Sequence, residues 1–345
     1  GILQRMGFTA TKADKCLYVK KVDAGQQLIV SVHVDDMLLT APSRRWQRWF
    51  EKSMEGHFKL VAQYDTVSYL GMMIRRDKTT GHITVNQHGF LSTILKKLNL
   101  EKLQKYPKTP ATDDLLSVNA DSPPADRAKY LSLVMSLMYL RFTRPDVLMP
   151  VSYLATKCSK PTEDDYTKLV RVVKYLAGTA GLGLVFKSDV PFRPIISADA
   201  SHLLYKDGHG QQGMVITNGS APVAYRSVKI KMVTRSSSES ELCALEDAST
   251  YAVWYTALLT ELGVKNVKPM TILQDNKSTI IMAIQGASFK RTKHLMGRQS
   301  YVRERLKNKE IVLKYSPTKD MVADLLTKPV TKMVLLALLE KLSIS

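Results

Sequence analysis

The stretch RPIISADAS, residues 193–201, places one acidic side chain inside a run that otherwise reads as a buried strand. Isoleucine, alanine and serine around it are typical of a β-strand that is covered on its faces. An ionised Asp199 in such surroundings costs free energy unless it is paired or bound to a cation. The position of Asp199 therefore predicts a functional site on this strand.

The segments that follow predict a sheet around this strand. QGMVITNG and PVAYRSVK come in quick succession, as in an antiparallel meander, and the long helix SSSESELCALEDASTYAVWYTALLTELG ends at Gly263. Strand PMTILQDN, helix KSTIIMAIQ, helix TKHLMGRQSYVRERLKN, strand IVLKYSP and a short helix near DMVADLLTK come next. This order predicts a mixed sheet with helices on its faces.

Three further acids belong to other elements of the predicted sheet, and each has an ordinary structural explanation. Glu241 follows Ser238 by three residues and can complete a capping box. Asp275 can cap the helix after its strand, and Asp324 suits the first turn of the last helix. If all three converge with Asp199 at one edge of the sheet, the cluster needs cations to stay ionised. Two Mg²⁺ ions would serve, and they would also support phosphodiester hydrolysis.

The composition favours a nucleic-acid partner. Among 345 residues, 50 are Lys or Arg and 31 are Asp or Glu, which gives a formal charge of +19 and a pI of about 9.7. Such a chain is attracted to polyanions through phosphate neutralisation. The sequence shows neither a signal peptide nor an apolar run long enough to span a membrane, so we expect a soluble, intracellular protein without a membrane partner.

The three cysteines are far apart in the sequence. Cys16, Cys158 and Cys243 form no CxxC or Cys/His spacing. This pattern argues against a disulfide framework and a zinc site, and it predicts buried thiols.

These motifs resemble, in order and spacing, the Pol polyproteins of copia-type retrotransposons. SADAS, SSSESELCAL, ILQDNKSTIIMA, FKRTKHL, VRERL and IVLKYSPTKDMVADLLTKP are similar to the ribonuclease H domain of that family. CLYV, HVDDML and YLGMMI are similar to its reverse transcriptase, and the stretch from LMYLRFTRPDV to GTAGLGLVF is similar to the connecting region. The resemblance implies an α+β chain in five parts: a partial reverse-transcriptase palm and thumb (1–110), a linker (111–127), a helical connection (128–190), an RNase H-like mixed five-stranded sheet with flanking helices (191–330) and a C-terminal helix (331–345).

The resemblance also implies a metal site made of Asp199, Glu241, Asp275 and Asp324. Its activity would be Mg²⁺-dependent cleavage of the RNA strand in RNA–DNA hybrids, with two ions bound. We prefer Glu241 to Glu239 because it stands two residues before a small Cys-Ala pair, as the glutamate of the family does.

A second pair of acids lies in HVDDML, residues 33–38. A polar hairpin tip explains Asp35 and Asp36 simply, because water reaches them there. In reverse transcriptases this turn supplies two metal-binding carboxylates, but nucleotidyl transfer also needs an acid from an earlier strand. Asp14 and Asp23 are not placed for that role, so we expect the chain to be a fragment whose residual polymerase site does not act alone.

Histidines and basic residues leave two explanations open. His202 and His209 depart from the first motif of the family, and His294 either contacts a scissile phosphate or lies on a solvated helix face. Basic and aromatic residues alternate in SRRWQRWF, KLQKYPK, AYRSVKIK and FKRTKH. Any one run can be a solvated face, but we expect several to line a groove for an RNA–DNA duplex.

Two functions of different classes remain. The first is a retrotransposon Pol fragment that retains ribonuclease H activity. The rival is a non-catalytic nucleic-acid-binding remnant or domesticated module. The resemblance implies RNA, DNA and their hybrid as partners, together with other Pol or capsid components, and a location in cytoplasmic virus-like particles or the nucleus.

Overall fold

The structure, a computed structural model, describes residues 1–219, 221–285 and 293–345. Its strands within these ranges are Thr9–Ala10 (β1), Leu17–Lys21 (β2), Gln27–His33 (β3), Asp36–Thr40 (β4), Thr66–Tyr69 (β5), Met72–Arg76 (β6), Ile83–Asn86 (β7), Leu184–Phe186 (β8), Pro194–Ser201 (β9), His209–Asn218 (β10), Pro222–Val233 (β11), Met270–Gln274 (β12) and Ile311–Tyr315 (β13). The α-helices are Ile2–Arg5 (α1), Arg44–Glu55 (α2), His88–Lys97 (α3), Arg127–Leu140 (α4), Leu148–Ala155 (α5), Glu163–Gly178 (α6), Ser237–Glu261 (α7), Lys277–Gln285 (α8), Met296–Lys307 (α9) and Lys332–Lys341 (α10).

The strand that carries Asp199 is the centre of a five-stranded sheet with the order β11-β10-β9-β12-β13. β9 pairs antiparallel with β10 and parallel with β12, and the outer pairs are β10 with β11 (antiparallel) and β12 with β13 (parallel). The predicted mixed sheet is confirmed. Helix α7 packs against β9 and β10, and their apolar side chains form one buried core.

The start of α7 differs from the sequence prediction. The Ser236 hydroxyl accepts a hydrogen bond from the Glu239 backbone N–H, and the Glu239 carboxylate accepts one from the Arg235 N–H at 2.8 Å. Ser236 is therefore the N-cap, and Glu239 accepts from the residue before it, so the predicted capping box of Ser238 with Glu241 is wrong. Glu241 lies two residues after Glu239, and its carboxylate takes no part in the cap.

The end of α7 matches the prediction. Gly263 adopts a φ of +79°, in the left-handed region that a side chain disfavours. Backbone bonds from Gly263 N to Thr260 O and from Val264 N to Leu259 O close the last turn. This is the hydrogen-bond pattern of a glycine-terminated helix.

A separate four-stranded sheet forms the N-terminal region. Its order is β1-β2-β3-β4, and α2, which starts after Ser43, covers it. The core between them contains Phe8, Leu28 and Phe50, with Phe8 and Phe50 in an edge-to-face contact. Burial of these aromatic and aliphatic side chains stabilises the hairpin that carries Asp35 and Asp36.

The third sheet, β5-β6-β7-β8, joins distant parts of the sequence. β8 pairs antiparallel with β7, so residues 184–186 return to a hairpin one hundred residues earlier in the chain. One apolar core extends from α3 through α4, α5 and α6 to α10. Leu115, in the segment predicted as a linker, is buried in this core on a 3₁₀ turn. The proposed domain boundaries remain predictions.

The C-terminal end of α7 contacts the N-terminal region. The Glu261 carboxylate accepts hydrogen bonds from the backbone N–H groups of Lys12 (2.8 Å) and Ala13 (2.9 Å). The Trp254 indole N–H donates to the Ala13 carbonyl at 3.2 Å. These contacts hold the first sheet against the helix that supplies Glu241 at its other end.

Two predictions about composition can be compared with the structure. Within the described ranges, every helix is too short or too polar to cross a membrane. Cys243 is buried as predicted, whereas Cys16 is exposed and Cys158 is half-buried. The prediction of a buried thiol is wrong for Cys16, because Cys16 lies in the turn before β2 and not in the core.

Candidate metal centre

Sheet register brings Asp199 and Asp275 side by side. Ser197 of β9 pairs with Leu273 of β12 in a parallel ladder. Asp199 follows Ser197 by two residues, and Asp275 follows Leu273 by two residues. They therefore lie side by side at the same end of the neighbouring strands. Glu241 approaches from α7 above them. One carboxylate oxygen from each of the three acids lies within 4.8 Å of the other two.

Asp199 is almost excluded from water, with 3% of its surface exposed. Burial raises its pKa to about 6, and the neighbouring charge of Asp324 adds to the shift, while Lys328 and a hydrogen bond from Thr327 oppose it. A carboxylate in this position is more basic than in water because its negative charge lacks solvation.

Glu241 is perturbed further. Burial raises its pKa to about 9, and the charges of Asp199 and Asp275 act in the same direction. Hydrogen bonds from the Gln274 side chain (3.3 Å) and the Ala200 backbone lower it only in part. Without a cation the cluster therefore holds protons at neutral pH, and a divalent ion would displace them.

Two threonines outside the predicted set orient the acids. The Thr327 hydroxyl donates to Oδ2 of Asp199, and the Thr318 hydroxyl donates to Oδ2 of Asp275 at 2.8 Å. Sequence reasoning missed both. The available signal was their place in SPTKDMVADLLTKP, where each threonine precedes a lysine close to a candidate acid.

Asp324 lies beside Asp199 but outside the group of three. It is buried, and Lys328 Nζ lies 2.8 Å from its Oδ1. Its backbone forms a 3₁₀ turn, Val322–Leu326, and the following α-helix starts only at Lys332. Asp324 therefore lies in the first turn of a short helix, as predicted, and this helix is of the 3₁₀ type.

A glycine allows this turn to reach the sheet. Gly213 of β10 pairs with Asp199 of β9. A Cβ atom added at Gly213 would lie 2.7 Å from Cβ of Leu326 and 2.9 Å from Cγ2 of Thr327. The missing side chain therefore makes room for the turn that carries Asp324.

Neighbouring residues show whether Asp275 and Glu241 act as helix caps. Asn276, and not Asp275, caps α8, because its Oδ1 accepts the Thr279 N–H at 3.0 Å. The Glu239 carboxylate accepts the Arg235 N–H at the start of α7 and also lies 3.2 Å from Nε2 of His294. Neither observation leaves Asp275 or Glu241 with a capping role.

Asp35 and Asp36 are in different surroundings. Both are exposed at the β3–β4 hairpin, whose tip contains Val34 at a φ of +52°. In residues 1–219, 221–285 and 293–345, the set of three close metal-ligating side chains comprises Asp199, Glu241 and Asp275 only. Asp35 and Asp36 thus have no third acid beside them in the described chain.

The basic residues of these runs lie in different environments. In AYRSVKIK, Arg226 pairs with Asp247 and Lys229 pairs with Asp207, so these two charges are neutralised within the fold. In SRRWQRWF, Arg44 is exposed and stacks over the Tyr64 ring at 4.7 Å. Residues 289–292 of FKRTKH lie outside the described residues. The duplex-binding groove remains a prediction.

The extra histidines have neighbours that account for them. His202 Nδ1 lies 3.1 Å from the hydroxyls of Thr234 and Ser240. His209 lies 3.0 Å from the Asp207 carboxylate. Both therefore have polar partners within the protein.

Comparison with known proteins shows what the chain is similar to. Residues 1–112 match the family model described as reverse transcriptase (RNA-dependent DNA polymerase). The Pol polyprotein of transposon RE1 from Arabidopsis thaliana is 27% identical over 332 residues, which cover 96% of this chain and 22% of the relative. The polyprotein of transposon TNT 1-94 from Nicotiana tabacum is 26% identical over 335 residues, covering 94% and 25%. The chain thus spans a quarter or less of the length of these curated relatives.

A solved structure, that of the foamy viral protease-reverse transcriptase in complex with an RNA/DNA hybrid, is 14% identical, with a TM-score of 0.46, covering 90% of this chain and 37% of that one. The strand order of the β9-centred sheet, and not this superposition, carries the fold assignment. Along nearly all of its own length the chain is similar to the Pol polyproteins of copia-type retrotransposons, and its first 112 residues match the reverse-transcriptase family model.

Proposed function

We propose that this chain hydrolyses the RNA strand of RNA–DNA hybrids at a Mg²⁺ site formed by Asp199, Glu241 and Asp275, with Asp324 as a fourth acid. The observation that carries the proposal is the convergence of three carboxylates, from two strands and a helix, within 4.8 Å of one another. Such a grouping is unfavourable without positive charge, so a cation is its natural complement.

The donor set fits Mg²⁺. Carboxylate oxygens are the hard ligands that this ion prefers, and the described cluster offers no sulfur or imidazole ligand that would favour a transition metal. When bound, Mg²⁺ supplies the positive charge that offsets the carboxylates and activates a water molecule for attack on a phosphodiester. A two-ion site would draw on Asp324 in addition to the group of three.

The residues of the chain itself hold the acids in position. Thr327 and Thr318 fix one oxygen each of Asp199 and Asp275, and Gln274 does the same for Glu241. Fixed carboxylates lose little entropy when a metal binds, and this preorganisation supports catalysis.

The similarity to reverse transcriptases supports an RNA–DNA hybrid as the substrate. An RNA-dependent DNA polymerase produces an RNA–DNA hybrid, and the next synthesis step requires removal of the RNA strand. A nuclease in the same polyprotein acts on that product. The net charge of +19 suits the phosphate backbone of such a duplex.

Cleavage of a labelled RNA–DNA hybrid in Mg²⁺ tests the proposal. We expect the wild-type chain to cut the RNA strand at internal positions, and Asp275→Asn to lose this activity because one ligand of the ion is removed. Asp189→Asn is a matched control, since its side chain is 73% exposed and it does not belong to the cluster.

The outcomes separate the two candidate functions. Equal cleavage by the wild type and Asp275→Asn would contradict the proposed site. If neither cleaves but both bind the hybrid in a salt-dependent manner, the chain is a nucleic-acid-binding remnant.

For Asp35 and Asp36 we infer a residual polymerase site. The described residues place no third carboxylate beside this pair. Two-metal nucleotidyl transfer needs such a group to hold both ions and the incoming triphosphate. Incorporation of dNTPs on a primed template by the purified 345-residue chain would contradict this inference.

A further inference from the structure

Lys328 is the one ammonium group that the structure places in direct contact with an acid of the candidate centre, within the ranges 1–219, 221–285 and 293–345. Its Nζ lies 2.8 Å from Oδ1 of Asp324. The Lys328 side chain is 40% exposed and that of Asp324 is 10% exposed, so the pair sits at the mouth of the centre. The ammonium is a counterion for the carboxylate of Asp324.

The turn that presents Lys328 is fixed from below by a buried chain of hydrogen bonds. The Tyr205 hydroxyl donates to Gln211 Oε1 at 2.7 Å, and Gln211 Nε2 donates to Ser227 Oγ at 2.7 Å. Ser227 Oγ in turn donates to the Leu326 carbonyl at 2.6 Å. Because the backbone is held two residues before Lys328, only its side chain is free to move away from Asp324.

The ion pair separates Asp324 from the other acids. Asp199, Glu241 and Asp275 offer oxygens within 4.8 Å of one another, whereas Asp324 is not part of that set. A cation that binds these three acids does not have to displace the Lys328 ammonium group from them. A cation that binds Oδ1 of Asp324 must displace Lys328 Nζ from that oxygen.

We propose that Lys328 is a positioning residue that holds Asp324 as its counterion until a second divalent ion replaces the ammonium. This inference rests on the proposed metal site. The two ions would then bind in a fixed order, the first at the set of three acids and the second only after Lys328 has moved into solvent. Its partial exposure gives the side chain a path outward.

Binding of Mn²⁺ to the full chain, measured by the loss of the free-ion signal in electron paramagnetic resonance, tests the order. We expect the wild type to bind one ion more tightly than a second. Lys328→Met removes the competing charge, so the second ion should bind about tenfold more tightly, with the first unchanged within about twofold. Lys328→Gln should behave in the same way, and Lys328→Arg should restore the wild-type isotherm.

Lys341→Met is the matched control. Lys341 Nζ lies 2.7 Å from Asp320 Oδ1, and its side chain is 37% exposed, but Asp320 is not one of the four acids. This variant loses an ion pair of the same kind and should bind both ions as the wild type does. The outcome thus distinguishes the position of the charge from the loss of any lysine.

The results also separate this inference from the proposed function. If Asp275→Asn abolishes the first ion but Lys328→Met and Lys328→Gln leave the second unchanged, the role of Lys328 is wrong and the metal site stands. If the wild type binds no Mn²⁺ at all, both are wrong. A tighter second ion in Lys341→Met would equally overturn the role of Lys328, because the effect would then be one of overall charge.

Discussion

Two pairs of neighbouring acids in this molecule have opposite environments. Asp199 and Asp275 lie abreast on parallel strands beside Glu241, with Asp199 only 3% exposed. Asp35 and Asp36 lie in the open at a hairpin, with no third carboxylate near them in the described residues. The first group is costly to keep without a cation, whereas the second is solvated and costs little.

The comparison teaches that adjacency in sequence is a poor guide to a metal site. The two residues of the hairpin are consecutive, and they do not converge on a partner. The acids of the β9-centred sheet are separated by 42 and 34 positions, and register and helix packing bring them together. The two groups of acids differ in the free energy that it costs to keep their carboxylates ionised without a cation.

The strongest test compares catalysis. Asp199→Asn should lower the rate of hybrid cleavage by about 10³-fold, because it removes a ligand at the centre of the cluster. The double variant Asp35→Asn with Asp36→Asn should cleave at the wild-type rate. Initial rates on one labelled hybrid at saturating Mg²⁺ measure both. A comparable loss in the double variant would break the distinction between the two sites.

Metal removal gives the next effect. Saturating Mg²⁺ should raise the melting temperature of the wild type by several degrees, since a ligand at about 100 times its Kd contributes about 2.7 kcal/mol. Thermal melts with Mg²⁺ and with EDTA measure this shift. Asp275→Asn should lose it, and the double variant at Asp35 and Asp36 should keep it. A shift of equal size in Asp275→Asn would place the stabilising ion elsewhere.

Gly213→Ala tests how the fourth acid reaches the cluster. The new Cβ would lie 2.7 Å from Leu326 Cβ, so the turn that carries Asp324 must move. We expect a loss of about 1–3 kcal/mol in the free energy of unfolding, as for other overpacked sites. Urea denaturation of both variants measures it.

Gly181→Ala is the control for this variant, because nothing lies within 4 Å of its added Cβ. Its effect should stay within about 0.5 kcal/mol. Equal stability of the two alanine variants would mean that the turn does not depend on the absence of a side chain at Gly213.

The last expected effect is on the pH dependence of stability. The pKa of Glu241 is raised from 4.5 to about 9, so between these values the folded chain binds more protons than the unfolded chain. Stability in EDTA must therefore fall as pH rises through that window. Glu241→Gln should flatten this slope and raise the melting temperature at the alkaline end by a few degrees.

Melting curves in EDTA across the window from pH 5 to about pH 9 measure this slope. Asp36→Asn, at the exposed hairpin, should keep the wild-type slope. An unchanged slope in Glu241→Gln would mean that another group controls it.

Much of the nuclease-like sheet could be predicted from sequence, because the alternation in RPIISADAS and the glycine end of α7 are local signals. The capping box was misassigned because SSSES offers several serines at the right spacing, and only the backbone geometry selects Ser236. Thr327 and Lys328 were missed for a different reason. Their roles depend on a 3₁₀ turn crossing the sheet at Gly213, a long-range contact that periodicity does not encode.

The contact at the far end of α7 has a consequence for the polymerase-like region. A carboxylate in the last turn of a helix is repelled by the helix carbonyls, yet Glu261 is accommodated there because Lys12 and Ala13 donate their backbone N–H groups to it. From Glu241 to Glu261 the helix is about 30 Å long, and it contacts both regions. Unfolding of the first sheet removes two hydrogen-bond donors from the same helix that carries Glu241 of the proposed metal site. The N-terminal sheet therefore stabilises the end of α7, independent of any chemistry at its own hairpin.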